Sequence, residues 1–157
     1  MPKVQDCPSI FTKKLISFKM GYRLKTWGHG RMREMGIVSI EKSPDYNIDT
    51  VTRAIEKSFE RLGGVAKYIK PGMKVLIKPN LVMKKRPEDA ATTHPSVVQA
   101  VSYIVRKAGG SVIIADSPGG LFTPKTLNGI YHVCGIEKAA QESGATLNFD
   151  FSEVEVD

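Results

Sequence analysis

Two short apolar runs, "VLI" at 75–77 and "VIIA" at 112–115, stand on either side of a helix pattern and constrain the fold more than any other feature. Both are rich in β-branched residues, and each leads into a polar loop that contains proline, "KPN" after the first and "DSPGG" after the second. The apolar residues between them share one helical face: Val97, Val98, Val101, Ile104, Val105 and Ala108. This order is typical of two parallel strands joined by a right-handed crossover helix.

The rest of the chain repeats the alternation of strands and helices. Its further predicted elements are a strand at 36–41, a helix capped by Asn47 or Asp49 and ended by Gly63, short helices near 124–132 and 136–143, and a fourth strand, "ATLNFDF". The order βαβαβαβ predicts an α/β fold. We expect a mostly parallel sheet of about four strands with helices on both faces, incomplete at the C-terminal end.

Charge divides the 157 residues into two parts. Residues 1–34 hold eight Lys or Arg side chains against only Asp6 and Glu34, so most of the formal net charge of +7 lies there. This segment shows no sustained hydrophobic period, whereas the strand pattern begins directly after Met35. We therefore predict that 1–34 is a disordered or non-native extension and that 35–157 is the N-terminal portion of an α/β domain.

Cysteine content and hydropathy exclude several classes of protein. Cys7 and Cys134 are the only cysteines, which is too few for a disulfide framework and lacks the spacing of a metal site. No apolar run approaches the roughly 18 residues of a membrane span. These features predict a soluble, cytoplasmic protein with no metal site and no membrane partner.

The loops that follow the strands carry the candidate functional residues. In an open parallel sheet these loops gather at one edge, where ligands bind. The predicted site at this edge consists of Lys78, Asn80, His94, Asp116, Ser117, Gly119 and Gly120. A lysine at a strand end and the backbone amides of a glycine-rich turn suit an anionic ligand. His94 and Asp116 are the candidates for moving protons, and hence for catalysis.

Each of these residues also has an ordinary structural interpretation. Lys78 could simply enter solvent at the end of its strand, and Asp116 could cap the turn "SPGG" with its own carboxylate. His94 could transfer protons, bind a metal or cap the helix that it precedes, and metal binding is the poorest of these because no second ligand lies nearby in sequence. The turn lacks the glycine patterns that would make a phosphate site specific.

The motifs "VLIKPNLV", "ATTHPSVVQAVSYIVRKAGG" and "VIIADSPGG", in this order, resemble the domain-of-unknown-function family 362. The similarity runs from about Gly36 to the last residues. Many members also carry cysteine clusters for 4Fe-4S centres, so the resemblance implies a redox or iron-sulfur context. Because this chain has no C-x-x-C-x-x-C run, we expect it to hold no cofactor itself, and 4Fe-4S clusters would belong to a missing C-terminal part or to a partner protein.

Three functions remain open at this point. The first is binding of an anionic small molecule at the predicted edge. The second is a non-catalytic scaffold that docks onto an iron-sulfur protein partner. The third, which we regard as the weakest, is nucleic-acid binding through the basic extension, where Lys13, Lys14, Lys19, Arg23 and Lys25 are interleaved with Phe18, Tyr22 and Trp27.

Overall fold

The computed structural model describes the backbone of residues 14–19, together with residues 37–120 and 123–150. The strands in these ranges are β1 (Lys14–Lys19), β2 (Val38–Ser43), β3 (Lys74–Ile77), β4 (Ser111–Ile114) and β5 (Thr146–Leu147). The helices are α1 (Ile48–Arg61), α2 (Pro95–Lys107), α3 (Pro124–Val133) and α4 (Ile136–Ser143).

The strands β3, β4 and β5 form a parallel sheet in that order. In its register Val75 lies opposite Val112, and Ile114 lies opposite both Ile77 and Leu147. The helix α2 connects β3 to β4, as expected for a crossover between parallel neighbours. The predicted α/β class and the mostly parallel sheet are therefore confirmed.

The helices begin where the sequence predicts because the residues before them accept the free N–H groups of the first turn. Asn47 caps α1 by accepting from the N–H of Asp49, at 3.0 Å. Thr123 caps α3 in the same way, accepting from the N–H of Thr126 at 3.2 Å. The helix α1 ends at a backbone turn with Gly63 at a φ of 103°, a conformation that side chains other than glycine rarely adopt.

The hydrophobic core lies against one face of the parallel sheet. Val112 and Ile114 of β4 pack in one cluster with buried residues from three helices: Val98, Val105, Leu127, Ile130, Tyr131, Ile136 and Ala140. On the opposite face Leu76 is 63% exposed, because successive side chains of a strand point to opposite sides. Within the described residues this face of β3 is therefore uncovered at Leu76.

The predicted first strand exists as β2, but it does not join the parallel sheet. It pairs with β1 in an antiparallel ladder, in which Ile40 lies opposite Ser17. The residues of β2 that point inward are Ser39, Glu41 and Ser43, and Glu41 forms an ion pair with Arg61 of α1 at 2.7 Å. Because a strand inside a parallel sheet is normally apolar on both sides, this alternation suits a separate strand packed against α1.

The fourth predicted strand is much shorter than its sequence pattern. Only Thr146 and Leu147 form β5, after which the N–H of Asn148 still donates to the carbonyl of Ile114, at 2.9 Å. The ring of Phe149 then packs edge-on against Tyr131, with the centroids 5.6 Å apart. The end of the predicted strand lies outside the described residues. Most of the extension 1–34 does so too, and its disordered or non-native character stays a prediction.

Candidate functional site

Lys78 and Asp116 meet at the carboxyl edge of the parallel sheet. The Lys78 ammonium lies 2.5 Å from Oδ1 of Asp116, so the ends of β3 and β4 are joined by an ion pair. The Lys78 side chain is 67% exposed, whereas that of Asp116 is 4% exposed. An ammonium has three N–H donors, and its exposure leaves room for further acceptors beside the carboxylate.

The second oxygen of Asp116 organises the loop after β3. Its Oδ2 accepts from the backbone N–H of Leu81, at 2.8 Å, and Leu81 is fully buried. A carboxylate that accepts a backbone N–H on one oxygen and an ammonium on the other is a strong, charge-assisted anchor. Asp116 therefore holds the "KPNL" loop against the end of β4, and these contacts, not a cap of the "SPGG" turn, are the ones observed.

Asn80 is tied to the residue that precedes His94. The N–H of Asn80 donates to the hydroxyl of Thr93, and the N–H of Thr93 donates to the carbonyl of Asn80, both at 2.9 Å. This reciprocal pair brings the loop after β3 and the start of α2 together. The Asn80 side chain itself is exposed at the same edge as Lys78.

His94 is the N-cap of α2. Its Nδ1 accepts from the backbone N–H of Ser96 at 3.2 Å and lies 2.8 Å from the Ser96 hydroxyl. Its ring stacks on Tyr46, with the centroids 3.7 Å apart and the planes at 3°. Of the three roles that the sequence allows for His94, the geometry displays the helix cap. Because Nδ1 accepts a hydrogen bond, a neutral His94 carries its proton on Nε2.

The "SPGG" turn completes the edge beside these loops. Ser117, Gly119 and Gly120 are exposed, while Pro118 between them is buried. A β-carbon added at Gly119 would stand 3.7 Å from the carbonyl oxygen of Val82, so this turn lies next to the loop after β3. Gly120 has a φ of 104°, which makes glycine the natural residue there.

A buried tyrosine lies next to the end of β4. Tyr131 of α3 is fully buried, and its hydroxyl donates to the carbonyl of Asn148, at 3.3 Å. Burial raises the pKa of the Tyr131 hydroxyl above its ordinary value of 10.0. A hydrogen bond from the backbone of Asp116 opposes that rise in pKa, and the negative charge of Asp116 adds to it.

An apolar groove opens beside this edge, along β3. It has a volume of about 720 Å³ and is lined largely by apolar residues, among them Phe59, Tyr68, Val75, Val97 and Val101. Of the seven predicted site residues, only Lys78 lines it. Close by, the hydroxyl oxygen of Thr92 is buried without a hydrogen-bond partner among the described residues. A buried hydroxyl of this kind normally pairs with water or with a bound molecule.

The loop that continues from Leu81 is basic and partly apolar. Lys84, Lys85 and Arg86 are all exposed, and they follow Val82 and Met83, which are 43% and 49% exposed. The loop passes the "SPGG" turn at Val82 and reaches α3, where the Lys84 side chain lies beside Gly129. It therefore places positive charge next to that helix.

The described residues offer neither a cluster of metal ligands nor a membrane-spanning helix. Within 37–120 and 123–150, no group of three His, Cys, Asp or Glu side chains is close enough to hold a metal ion. In the same ranges, no helix combines the length and apolar character needed to cross a bilayer.

The sequence predicts which loops meet at this edge, but it does not predict all the contacts between them. Contacts join Lys78 to Asp116, Asn80 to the neighbour of His94, and the Gly119 turn to Val82. The ligand-binding and catalytic roles of these residues stay predictions. Two contributions had no sequence signal: the N–H of Leu81, which is a backbone group, and the ring of Tyr46, which lies far from His94 in sequence.

Comparisons with known proteins show which family and which protein this part of the chain is similar to. A model of the family described as "Domain of unknown function (DUF362)" matches residues 75–157, more than half of the chain. The chain is also similar to the thylakoid-associated protein sll1697 of Synechocystis sp. (strain ATCC 27184 / PCC 6803 / Kazusa), with 40% identity over 81 residues. That alignment covers 52% of this chain and 25% of the relative, so the chain spans about a quarter of the relative's length. No solved structure matches the chain.

Proposed function

This chain belongs to the DUF362 family, and from that premise we propose that it binds an anionic small molecule at the carboxyl edge of its parallel sheet. The observation that carries the proposal is the Lys78–Asp116 pair, in which a buried carboxylate holds an exposed ammonium at the end of β3. Asp116 uses one oxygen for Lys78 and the other for Leu81. It therefore positions the cation instead of presenting a free carboxylate to the ligand.

The surroundings of Lys78 suit an anion. The exposed turn at Ser117, Gly119 and Gly120 offers backbone N–H groups without bulky side chains, and glycine lets a ligand approach the backbone closely. Thr92 adds a buried hydroxyl that lacks a partner in the described residues. We propose Lys78 for the charge, with the turn amides and Asn80 as hydrogen-bonding groups.

Ligand-induced stabilisation tests this proposal. Inorganic pyrophosphate and citrate are the probes, and each is titrated against the full chain while the unfolding temperature is measured. A ligand at about 100 times its dissociation constant adds roughly 2.7 kcal/mol to the free energy of unfolding. We expect Lys78→Met to abolish the response and Lys57→Met, which changes an exposed lysine of α1, to retain it. An equal response from parent and Lys78→Met would exclude this site.

We further propose that the site works in a redox or iron-sulfur context provided by another protein or by another part of a longer chain. The family resemblance supports this context, and the two cysteines of the present chain are too few for a 4Fe-4S cluster. Iron and sulfide analysis of proteins that co-purify with the full chain tests it. Co-purified protein without stoichiometric iron and sulfide would contradict the proposal.

We propose that the protein is located in the cytoplasm. A second candidate function is attachment to an anionic membrane surface. The loop Val82–Arg86 favours the second candidate, because exposed apolar side chains beside three cations suit a membrane interface. The relative sll1697 is named as thylakoid-associated. Co-sedimentation with vesicles of phosphatidylcholine alone and of phosphatidylcholine mixed with the anionic lipid phosphatidylglycerol separates the two. Binding that is lost in Met83→Asp would favour the surface, and no binding would favour the cytoplasm.

A further inference from the structure

The strand β3 is an open edge of the parallel sheet. Its ladder to β4 uses alternate residues, since the carbonyl of Met73 accepts from Ser111 and the carbonyl of Ile77 accepts from Ala115. The N–H and C=O groups of Lys74 and Leu76 must therefore point to the other side. In the part of the chain that the structure describes, no strand pairs with that side. The N–H and C=O groups of these two residues are thus available for hydrogen bonds to another strand.

The space beside this edge is shaped for a strand with one apolar face. The groove of about 720 Å³ runs along β3, and its far wall is formed by Phe59, Tyr68, Val97 and Val101. Apolar side chains of an added strand would enter this groove beside Val75 and Ile77. The side chains between them would lie on the other face of the sheet, next to Lys74, Leu76 and Lys78.

Charge decides which strand fits. If β3 paired with β3 of a second copy, antiparallel about Leu76, Lys74 of each copy would lie opposite Lys78 of the other. Like charges directly opposite destabilise a ladder, and edge lysines commonly prevent such self-pairing. A strand with acidic residues on that face and apolar residues on the groove face would instead be attracted.

The segment "SEVEVD" at 152–157 has this pattern. Glu153, Glu155 and Asp157 alternate with Val154 and Val156, so one face is acidic and the other apolar. The spacing of Glu153 from Asp157 equals that of Lys74 from Lys78. These residues lie outside the described part of the chain, which ends at Asp150.

The chain's own segment would have to cross the site to reach this edge. A strand added beside β3 would lie three strand spacings from β5, or about 14 Å. In the antiparallel arrangement Glu153 would face Lys78. The five residues from Asn148, whose N–H still bonds to Ile114, to Glu153 span at most about 17 Å, so they would have to run almost straight over the ends of β4 and β3, which favours a strand from another molecule. We propose that the acidic segment 152–157 of a second copy of this chain adds to the open edge of β3.

Sedimentation velocity of the full chain tests this association. We expect concentration-dependent dimers or longer assemblies, which Lys74→Glu weakens by about tenfold in dissociation constant, since cross-strand charge pairs each contribute up to about fivefold. Lys74 is the better target because Lys78 also holds Asp116. The matched control, Lys57→Glu, makes the same charge change on α1 and should leave association unchanged.

Charge exchange identifies the contact directly. Lys74→Glu combined with Asp157→Lys should restore association if the added strand is antiparallel, and Lys74→Glu combined with Glu153→Lys should restore it if the strand is parallel. Rescue by either supports the proposal. A monomer at all concentrations, or association that survives Lys74→Glu, would overturn it.

A peptide with the sequence of residues 150–157 gives an independent measurement. It should protect the amides of Lys74 and Leu76 from hydrogen exchange in the full chain, while a peptide with Lys at positions 153 and 155 should not. Protection of these amides in the monomer, without peptide, would show that the chain's own segment occupies the edge and would exclude the second copy.

Discussion

Lys78 and Asp116 form an ion pair in which one partner is 67% exposed and the other 4% exposed. The loss of stability should therefore depend on which of the two partners is removed. Removal of the Lys78 ammonium leaves one oxygen of the buried carboxylate without its charged partner, while the bond from Leu81 to the other oxygen remains. The buried carboxylate cannot be removed without leaving the N–H of Leu81 unsatisfied.

The first prediction follows from that asymmetry. Asp116→Ala should lower the free energy of unfolding by about 2–3 kcal/mol, because it leaves the N–H of Leu81 unsatisfied, whereas Lys78→Met keeps that bond and should cost about 1–2 kcal/mol. Urea unfolding of both variants and of the double variant measures the difference. Similar costs for the two single variants would show that the pair, and not the Leu81 contact, dominates the stability of this edge.

The second prediction separates the structural role of His94 from a chemical one. His94→Ala removes the N-cap of α2 and should cost about 1 kcal/mol of stability. His94→Asn supplies a good capping side chain and should recover most of that loss, although it cannot stack on Tyr46. Thermal unfolding gives the stabilities, with Thr123→Ala at the cap of α3 as a comparison. If His94 also takes part in the site, His94→Asn will fold well and still lose the stabilisation by pyrophosphate.

The third prediction concerns the two glycines of the "SPGG" turn. Gly119→Ala places a β-carbon at an ordinary contact distance, so stability should change by less than about 1 kcal/mol. Gly120→Ala must adopt a φ of 104° and should lose about 1 kcal/mol or more. If the turn amides hold the anion, Gly119→Ala will weaken pyrophosphate binding while it leaves the unfolding temperature nearly unchanged. Normal binding by Gly119→Ala would remove the turn from the site.

The fourth prediction is a dependence of stability on alkaline pH. The pKa of Tyr131 is raised in the folded protein by burial, so above pH 10.0 the unfolded chain loses this proton first. Fewer protons on the unfolded state mean that stability falls as pH rises, by up to about 1.4 kcal/mol per pH unit, until the folded pKa is reached. Below pH 10.0 this contribution is fully present.

Comparison of two tyrosine variants isolates that effect from other groups that titrate at high pH. Tyr131→Phe should lose about 1 kcal/mol at neutral pH, with its hydrogen bond to Asn148, and should show a shallower decline above pH 10.0. Tyr103→Phe changes a tyrosine that is 39% exposed and should decline as the parent does. Urea unfolding between neutral pH and pH 11, about one unit above the ordinary tyrosine value, provides the measurement.

Much of the architecture follows from patterns local to the chain. The spacing of Val97, Val101 and Val105 predicted α2, and the glycines after α1 predicted its end, because helix faces and caps depend on residues a few positions apart. The strand β2 was predicted as an element but assigned to the wrong sheet. Its alternation indicates a strand with one apolar face, yet the choice between pairing with β1 and with β3 depends on distant segments.

What the sequence determined by itself is the set of elements and the edge at which the loops gather, since strands joined by crossover helices must point the same way. Only the tertiary structure decided which atoms meet there. Asp116 reaches Lys78 across 38 positions and Leu81 across 35, and Tyr46 stacks on His94 from another loop. Such contacts depend on the turns, rotamers and burial of the assembled chain, and local periodicity carries no information about them.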